Sequence, residues 1–502
     1  MERDSAFFVK QYLKTLTDEE WDELLGERIH PDAKNIKRRR VSEIRNLVDY
    51  TTTKWGQLLR DPTLSDPSSQ KAKLFRRRFR MPHNLFLYIV SRCREKAIFS
   101  DVKSTRGQIP DEIKLMCCLR ILGRDNCLDD ISEFSDMGES TALHVFTKFV
   151  LSFSINFGKE FISIPEGDNL KKVMDIYAKL GFPGCVGSID ATHLKWAMCP
   201  KSLSNICNGK ESFPTIAYQA VVDHSRRILH ITQGMYGSTN DITITRYDKF
   251  CRDVKQGKVF KDVEFYVTDE NEIDHKCKGV YFICDGGYPK DSYLINPYGA
   301  RSDMSEVYWS EWLESVRKDV ECTFGVLKAR FRILRNGMRF HKKIVVDAVM
   351  ITCCILHNML LHCDGLDMSQ WANDEDWENI DPNAGEEEDI EDISNAVVGS
   401  DTSLHTEHAP ATLYATLSEL VPKSNYSAVI TPAEVIQRDM SNHKLKRKRL
   451  VKHFASQYKN GKLEWPKGFK QKQKTIMPLK PNVHKAMIRA RSEVEAGRIK
   501  KK

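Results

Sequence analysis

The sequence predicts an α/β layer fold whose sheet starts near residue 182. Three short β-rich runs, CVGSIDATHL, TIAYQAVVDH and RILHITQGMYG, lie between residues 185 and 237. A helical stretch at 241–254 follows, and then another strand, VYFICDGGY. Two later helices are predicted at about 305–332 and 344–362, the first with apolar residues spaced by three and four. This order of strands and helices is typical of an α/β domain with a layered core.

The chain upstream of the sheet is predicted to be helical. Residues 1–80 form a basic N-terminal region that contains KRRR at 37–40 and LFRRRFR at 74–80. Residues 81–178 have helical apolar spacing, with one helix at about 128–134 and another from 139 or 140 to about 153. Two helices joined by a short turn around Gly138 match a helix-turn-helix that reads DNA. An ordinary helical hairpin explains the pattern equally well, and the second helix is poor in arginine.

The C-terminal third changes composition twice. Leu366–Ser394 holds twelve Asp or Glu and no Lys or Arg, so residues 366–409 are predicted to be an acidic disordered linker. Residues 410–502 are predicted to be a basic C-terminal tail, because twenty Lys or Arg stand against three Glu from His443 onwards. The run KLKRKRL at 444–450 is typical of a nuclear import signal, which predicts a nuclear protein. The alternative for this tail is a solvated extension with no specific partner.

Composition excludes several classes of protein. No run of eighteen apolar residues occurs, and the N-terminus lacks the basic start and apolar stretch of a signal peptide, so we expect no membrane span and a reducing compartment. The fourteen cysteines are then expected to be free thiols. Cys199 and Cys207 with His193 and His230 have the wrong spacing for a zinc knuckle.

Four acidic residues mark the candidate chemistry. Asp190 and Asp285 each close an apolar strand, and ligands of α/β sheets gather at such strand ends. Asp241 lies in the polar loop GSTND, just past the third strand, and Glu321 lies at the border of the apolar face of the long helix. Any one of these Asp residues alone is better explained as a helix or turn cap. The set of four in one domain favours a shared site.

The chemistry of such a set points to a divalent metal. Three or four converging carboxylates repel each other, and one of them must hold a proton unless a cation joins them. Mg²⁺ prefers hard oxygen ligands and keeps open positions for water and phosphate. Two such ions can activate a water and neutralise the leaving oxygen in phosphodiester cleavage. The acidic set therefore predicts a metal-dependent nuclease.

The same residues carry a resemblance to a known family. The chain resembles the PIF/Harbinger transposases and their domesticated relatives, which are DDE endonucleases of the RNase H-like, retroviral integrase-like fold. The matching stretches are LFRRRFR at 74–80, GSIDATH at 187–193, GSTNDI at 237–242, CDGGYP at 284–289, VECTFGVLKARFRIL at 320–334 and ILHN at 355–358. Together these motifs are specific, and they extend over roughly residues 50–363.

The resemblance implies an RNase H-like DDE endonuclease domain at 182–363 that cuts DNA at transposon ends and transfers strands. It implies that Asp190, Asp241, Asp285 and Glu321 bind Mg²⁺ or Mn²⁺. Asp190, Asp285 and Glu321 form the core triad by strand order, whereas family descriptions often count Asp241 as the second acid. A separate Myb-like DNA-binding partner is implied as well, and the sequence leaves homo-oligomerisation open. Cys322 departs from the family, which usually has Arg after this Glu.

Basic residues near Glu321 predict contacts with DNA. Arg317 and Lys328 lie one and two helical turns from Glu321, and Arg332 follows on the same segment. A solvated helix face explains each of them equally well. His193 is expected in the core or beside the site. Two rival functions stay open: a domesticated nuclear protein that binds DNA or chromatin without cutting, and a nuclease of the same fold that acts on RNA or on nucleic acid in general.

Overall fold

The computed structural model describes residues 47–100, 102, 107–269, 271–299, 303–364 and 433–463, with the backbone alone at 433–441. The KRRR cluster at 37–40 and the acidic linker at 366–409 lie outside the described residues. Most of the predicted basic tail lies outside them as well.

A mixed sheet of six strands forms the centre of the fold, in the order β3-β2-β1-β7-β8, with β4 paired to β2. The strands are β1 Cys185–Lys195, β2 Thr215–Val222, β3 Ile228–Ile231, β4 Met235–Tyr236, β7 Tyr281–Ile283 and β8 Leu294–Ile295. The strands β1, β2 and β3 run antiparallel to one another, whereas β7 and β8 run parallel to β1. A separate hairpin joins β5 Glu264–Thr268 to β6 Asp274–Lys278. The strand runs expected from sequence are thus present.

Helices surround this sheet. Before it come α1 Lys54–Leu59, α2 Gln70–Phe79, α3 His83–Glu95, α4 Asp111–Arg124, α5 Leu128–Ser135, α6 Glu139–Phe161 and α7 Gly167–Lys179. Among and after the strands come α8 Ser204–Cys207, α9 Asp241–Tyr247, α10 Lys249–Lys255, α11 Met304–Arg330, α12 Arg332–Asn336, α13 Lys343–Cys363 and α14 Ala433–Lys459. The two long helices predicted downstream of the sheet are α11 with α12, and α13.

Successive side chains along the strands of the sheet pack alternately into two hydrophobic cores. Ile216, Tyr218 and Ala220 of β2 join a core with the upstream helices and α13. Val221 of β2 and Ile189 of β1 join the opposite core with α7, the first half of α11 and α14. This period of two is what a strand buried on both faces requires. The result is a three-layer arrangement, helices on each side of one sheet.

The helical region at 81–178 shares its core with the sheet. The predicted helices at 128–134 and 139–153 are present as α5 and α6, joined through Asp136, Met137 and Gly138. Helix α6 packs along α13, and every residue of α6 from Thr141 to Gly158 is at least partly buried. A recognition helix needs an exposed face for the major groove. This packing favours the hairpin interpretation over DNA reading by α6.

Helix α13 is the one described helix long and apolar enough to cross a membrane by length and composition. Its most apolar stretch is 83% buried inside the protein. It therefore serves as the central core helix, where Thr352 and Asn358 find partners in α6 and the neighbouring strands.

The C-terminal region differs from the expected tail, because residues 433–459 form a helix that packs on the fold. Leu450, Val451 and Phe454 of α14 are buried in the second core. The carbonyl oxygens of Asn296 and Pro297 accept hydrogen bonds from Arg447, whose guanidinium lies 3.7 Å from the Tyr298 ring centroid. Part of the predicted import signal is thus folded against the protein.

Candidate active site

Asp190 and Asp285 are brought side by side by the register of two parallel strands. Ser188 of β1 pairs with Ile283 of β7, so two residues further along each chain Asp190 and Asp285 stand at matching positions. Neighbouring strands lie about 4.8 Å apart. Because side chains alternate with a period of two, both carboxylates extend from the same face. The sheet thus brings together the two acids that the sequence singled out. The prediction that Asp190 closes its strand is wrong, because β1 continues to Lys195 through its pairing with β2, and only Asp285 follows a strand end.

Asp241 reaches the same place from the first turn of α9. The side chain of Asn240 caps this helix by accepting a hydrogen bond from the backbone N–H of Thr243 at 2.8 Å. The pKa of Asp241 is raised, first by burial and then by the negative charge of Asp285. Asp285 therefore interacts electrostatically with Asp241 as well as with Asp190.

Glu321 is joined to Asp190 through Arg317, one turn earlier on α11. The guanidinium donates from Nη1 to Oδ2 of Asp190 at 3.0 Å and contacts Oε1 of Glu321 through Nη2 at 2.5 Å. It also donates from Nε to Oε2 of Glu314 at 3.1 Å. One cation thus holds carboxylates from β1 and α11 together.

The electrostatics at Asp190 reflect this crowding of acids. The pKa of Asp190 is raised to about 6, chiefly by burial and also by the charges of Asp285 and Glu321, against the lowering effects of the Ala191 N–H and Arg317. The net shift shows that Arg317 only partly compensates for desolvation and repulsion. A cation of higher charge would stabilise the cluster more.

The donor set fits a hard divalent cation. Four carboxylates from β1, α9, the loop after β7 and α11 converge on one region, and carboxylate oxygens are the ligands that Mg²⁺ and Mn²⁺ accept. Within the described ranges, no group of three or more His, Cys, Asp or Glu is positioned to hold a metal ion as it stands. Arg317 pairs with Asp190 and Glu321, so the donor chemistry suits a divalent cation, whereas the arrangement shown does not bring three donors together.

Asn296 fixes the loop that carries Asp285, and sequence reasoning missed it. Its side-chain amide donates to the carbonyl oxygens of Asp285 at 2.6 Å and Tyr288 at 3.2 Å. Its Oδ1 lies 3.2 Å from Nε2 of His443 on α14. The C-terminal helix is therefore connected to the Asp285 loop through one buried amide.

Tyr288 is a second residue that sequence reasoning missed. Its side chain is buried, and its hydroxyl has no hydrogen-bond partner among the residues that the structure describes. Its pKa is raised well above the usual value by burial and then by the charges of Asp190, Asp241 and Asp285. A neutral donor thus lies within the field of three carboxylates. Tyr288 belongs to the motif CDGGYP. Its position three residues after the candidate ligand Asp285 was the signal in the sequence that could have identified it.

The three basic residues predicted to contact DNA take different positions. Arg317 pairs with acids as described, so its predicted phosphate contact stays untested. Lys328 donates from Nζ to the carbonyl oxygen of His193 at 3.3 Å, and burial lowers its pKa. Arg332 lies at the start of α12 in a group of arginines considered below. His193 itself is partly buried, with Nδ1 3.0 Å from Oγ1 of Thr215.

The cysteines agree with the expectation of free thiols, since all fourteen are unpaired. Of the residues considered for zinc, Cys199 and Cys207 are hydrogen-bonded neighbours, whereas His230 lies 3.1 Å from Asp248. His230 is thus committed to a carboxylate partner. Cys322 on α11 is partly buried beside Glu321 and removes no acidic ligand.

Comparison with known proteins relates this chain to transposon proteins. A family described as plant transposon protein matches residues 159–368, which include all four acids. Protein ALP1-like of Arabidopsis thaliana is 26% identical over 302 residues, 58% of this chain and 72% of that protein. The Arabidopsis thaliana protein Antagonist of Like Heterochromatin Protein 1 is 24% identical over 339 residues, 66% of this chain and 84% of that protein. No solved structure matches.

Proposed function

We propose that this protein is a metal-dependent endonuclease of the DDE type, acting on DNA. One observation carries the proposal: Arg317 binds both Asp190 of β1 and Glu321 of α11, and the charges of Asp285 and Glu321 both act on Asp190. Such convergence is costly unless a cation compensates it. The similarity of residues 159–368 to plant transposon proteins supports DNA as the substrate.

The chain's own residues would share the work as follows. Asp190, Asp241, Asp285 and Glu321 would hold the cation, and Asn296 keeps the Asp285 loop in place. A bound Mg²⁺ or Mn²⁺ supplies an acidified water and neutralises charge at the scissile phosphate. Arg317 neutralises Asp190 and Glu321 when no metal is bound. No side chain is needed as a general base, and a 3′-hydroxyl can replace water for strand transfer.

The finer assignment to PIF/Harbinger transposases is part of the proposal, as is the RNase H-like fold. The sheet order, with three antiparallel strands followed by two parallel ones, supports that fold. Nuclear localisation, a Myb-like partner and self-association belong to the same proposal, and each follows from the family resemblance or the basic C-terminal run.

A plasmid-nicking assay tests the nuclease proposal. The full chain is incubated with supercoiled DNA and Mg²⁺, as wild type, as Asp190→Ala and as Asp168→Ala, which changes an exposed acid of α7. We expect Mg²⁺-dependent nicking in wild type and Asp168→Ala and a loss of at least about a hundred-fold in Asp190→Ala. Equal nicking in all three, or nicking without metal, overturns the proposal. A parallel assay on RNA separates a DNA nuclease from a general one.

A second candidate function is a nuclear scaffold that binds DNA or chromatin without cutting. One observation favours it: Arg317 already pairs with two of the acids that a metal would join, Asp190 and Glu321. The name of one relative describes an antagonist of a heterochromatin protein, which supports a chromatin role here. DNA binding with unchanged affinity in wild type and Asp190→Ala, together with no nicking in either, would favour the scaffold.

A further inference from the structure

Six arginines from three helices gather on one surface of the upstream helical region. They come from the end of α2, the end of α4 and the start of α12, and α2 and α12 both pack on α4. The set is Arg77, Arg78, Arg80, Arg120, Arg124 and Arg332, and we call it the arginine cluster. Sequence analysis identified LFRRRFR and Arg332 separately and did not predict that they meet.

The backbone conformation at the end of α2 places Arg80 within the arginine cluster. Arg80 ends α2 in the left-handed conformation, with φ of 62°, which is unfavourable for a side chain of this size. Its Nε donates to the carbonyl oxygen of Gly123 at 3.4 Å. A Cβ at Gly123 would lie 2.7 Å from Cγ of Arg80, so only glycine leaves room for this arginine across α4.

The charges around Arg80 and Arg120 are mostly positive in the part of the chain that the structure describes. The pKa of Arg80 is lowered to about 10, first by burial and then by the charges of Arg124, Arg332, Arg120 and Arg77. Burial likewise lowers the pKa of Arg120 to about 10, with Arg124 and Arg78 adding to the effect and Asp130 opposing it. Nε of Arg120 is buried and has no hydrogen-bond partner within the described ranges.

Helix stability alone does not explain the arrangement. Arginines near the C-terminal ends of α2 and α4 interact favourably with the helix dipoles. Arg332, however, is the first residue of α12, where the dipole disfavours a cation. The nearby carboxylate of Asp125 is already bonded to Arg339 and Asn336. Like charges that lie together at a cost to folding suit a polyanion as a ligand.

We infer that the arginine cluster binds the phosphate backbone of the DNA whose strand enters the acidic site. Arg332 follows Glu321 by eleven residues on the consecutive helices α11 and α12, which is at most about 16 Å at 1.5 Å per residue. That distance matches about four to five base pairs of duplex. The assignment rests on the proposed function for its choice of DNA, and it adds a second contact region that orients the substrate.

Salt-dependent DNA binding by the full chain tests this inference without metal, in EDTA. Arg77→Gln with Arg78→Gln removes two exposed members of the arginine cluster. Lys54→Gln with Arg94→Gln removes two charges that are already ion-paired with acids, and it is the matched control. Fluorescence anisotropy with a 30-base-pair duplex gives Kd across a series of salt concentrations. The logarithmic salt slope is expected to fall by about 1 for each cluster arginine removed, with roughly ten-fold weaker binding at 0.1 M salt.

Two further readings make the outcome decisive. The inference is overturned if the cluster variant and the control have the same slope as wild type. It is also overturned if inorganic phosphate displaces DNA far below the concentration at which chloride of equal ionic strength does, since the site would then take free phosphate. Nicking with Mg²⁺ is measured separately. If the cluster variant has a reduced salt slope and wild type does not nick DNA, the arginine cluster is supported and the nuclease proposal is rejected. If wild type nicks DNA normally and the variant has an unchanged salt slope, the nuclease proposal is supported and the arginine cluster is rejected.

Discussion

Arg317 donates a hydrogen bond to Asp190 at 3.0 Å, and this pair joins the sheet to the long helix at the centre of the acidic site. The guanidinium side chain is 11% exposed and the carboxylate side chain 19% exposed. A pair so little hydrated matters more than a surface ion pair. The pair therefore contributes to the stability of the site in the metal-free protein.

Replacing Arg317 with Gln should destabilise the metal-free protein by about 2 kcal/mol, since Asp190 and Glu321 lose their common cation. Mg²⁺ should restore much of that loss, so the rise in Tm on adding Mg²⁺ should be larger in the variant than in wild type. Differential scanning fluorimetry measures both. Lys318→Gln, an exposed neighbour on α11, is the control and should show neither effect. An Mg²⁺ response no larger in Arg317→Gln than in Lys318→Gln would contradict this account.

Tyr288→Phe should leave the fold intact and impair cutting. The hydroxyl has no partner to lose, so its removal should change the free energy of unfolding by less than about 1 kcal/mol. The same hydroxyl is a neutral donor among three aspartates, where it can bind phosphate or water during the reaction. Nicking rates and urea unfolding of wild type and variant are compared. Normal nicking by a stable variant would show that Tyr288 has only a packing role.

Asn296→Ala should reduce metal affinity, because the amide that fixes the Asp285 carbonyl is removed. Asn358→Ala is a matched control: Asn358 is also buried, and its amide donates to the carbonyls of Phe161 and Ile228. Both variants should lose about 1–3 kcal/mol of stability. Only Asn296→Ala should in addition weaken Mn²⁺ binding. Calorimetry measures this binding at a temperature where both variants remain folded. Equal Mn²⁺ affinity in the two variants would remove Asn296 from the site.

His357 should make stability fall at acidic pH. It is fully buried, its Nδ1 lies 2.8 Å from Arg330, and its Nε2 lies 2.9 Å from the carbonyl oxygen of Arg226. Burial and then the charge of Arg330 lower its pKa from 6.5 to about 3. The unfolded chain takes up a proton below pH 6.5 and the native chain does not. The contribution of His357 to the free energy of unfolding is therefore fully present above pH 6.5. It declines by about 1.4 kcal/mol per pH unit as the pH falls towards 3.

Urea unfolding at pH 7.5, 6 and 5 measures this effect. His357→Gln can keep a bond to Arg330 and to the Arg226 carbonyl while losing the titration. The stability difference between wild type and variant should therefore narrow steadily as the pH falls. Parallel pH profiles for the two proteins would show that His357 does not titrate on unfolding.

Local patterns predicted much of the fold and the identity of the acids. The spacing of Leu313, Val316, Val320 and Phe324 predicted α11, because one face of a helix repeats every three or four residues. Their position after an apolar run predicted Asp190 and Asp285, although β1 continues past Asp190 to Lys195, and the parallel register of β1 and β7 brings them together. These features depend on neighbours in sequence, or on a general rule of sheets.

Other features required tertiary contacts that no local pattern contains. Asn296 meets His443 across 147 residues of sequence, and the arginine cluster combines three separated segments. Helix α14 was not predicted because its many basic residues indicated a solvated tail, although Leu450, Phe454 and Tyr458 repeat at a helical spacing of four. The pairing of Arg317 with Asp190 was missed because Arg317 was considered only as a contact for phosphate.

Mn²⁺ binding to wild type and Asp285→Asn tests most directly whether the four acids form a divalent-metal site. Asp285 interacts with both Asp190 and Asp241, and asparagine can still accept the hydrogen bond from the Gly287 N–H. Asp291→Asn, which changes an acid paired with Lys255, is the control. Titration calorimetry should show Mn²⁺ binding to wild type and Asp291→Asn, weakened about ten-fold or more in Asp285→Asn. Equal binding by all three proteins, or none by wild type at millimolar Mn²⁺, would contradict the metal site.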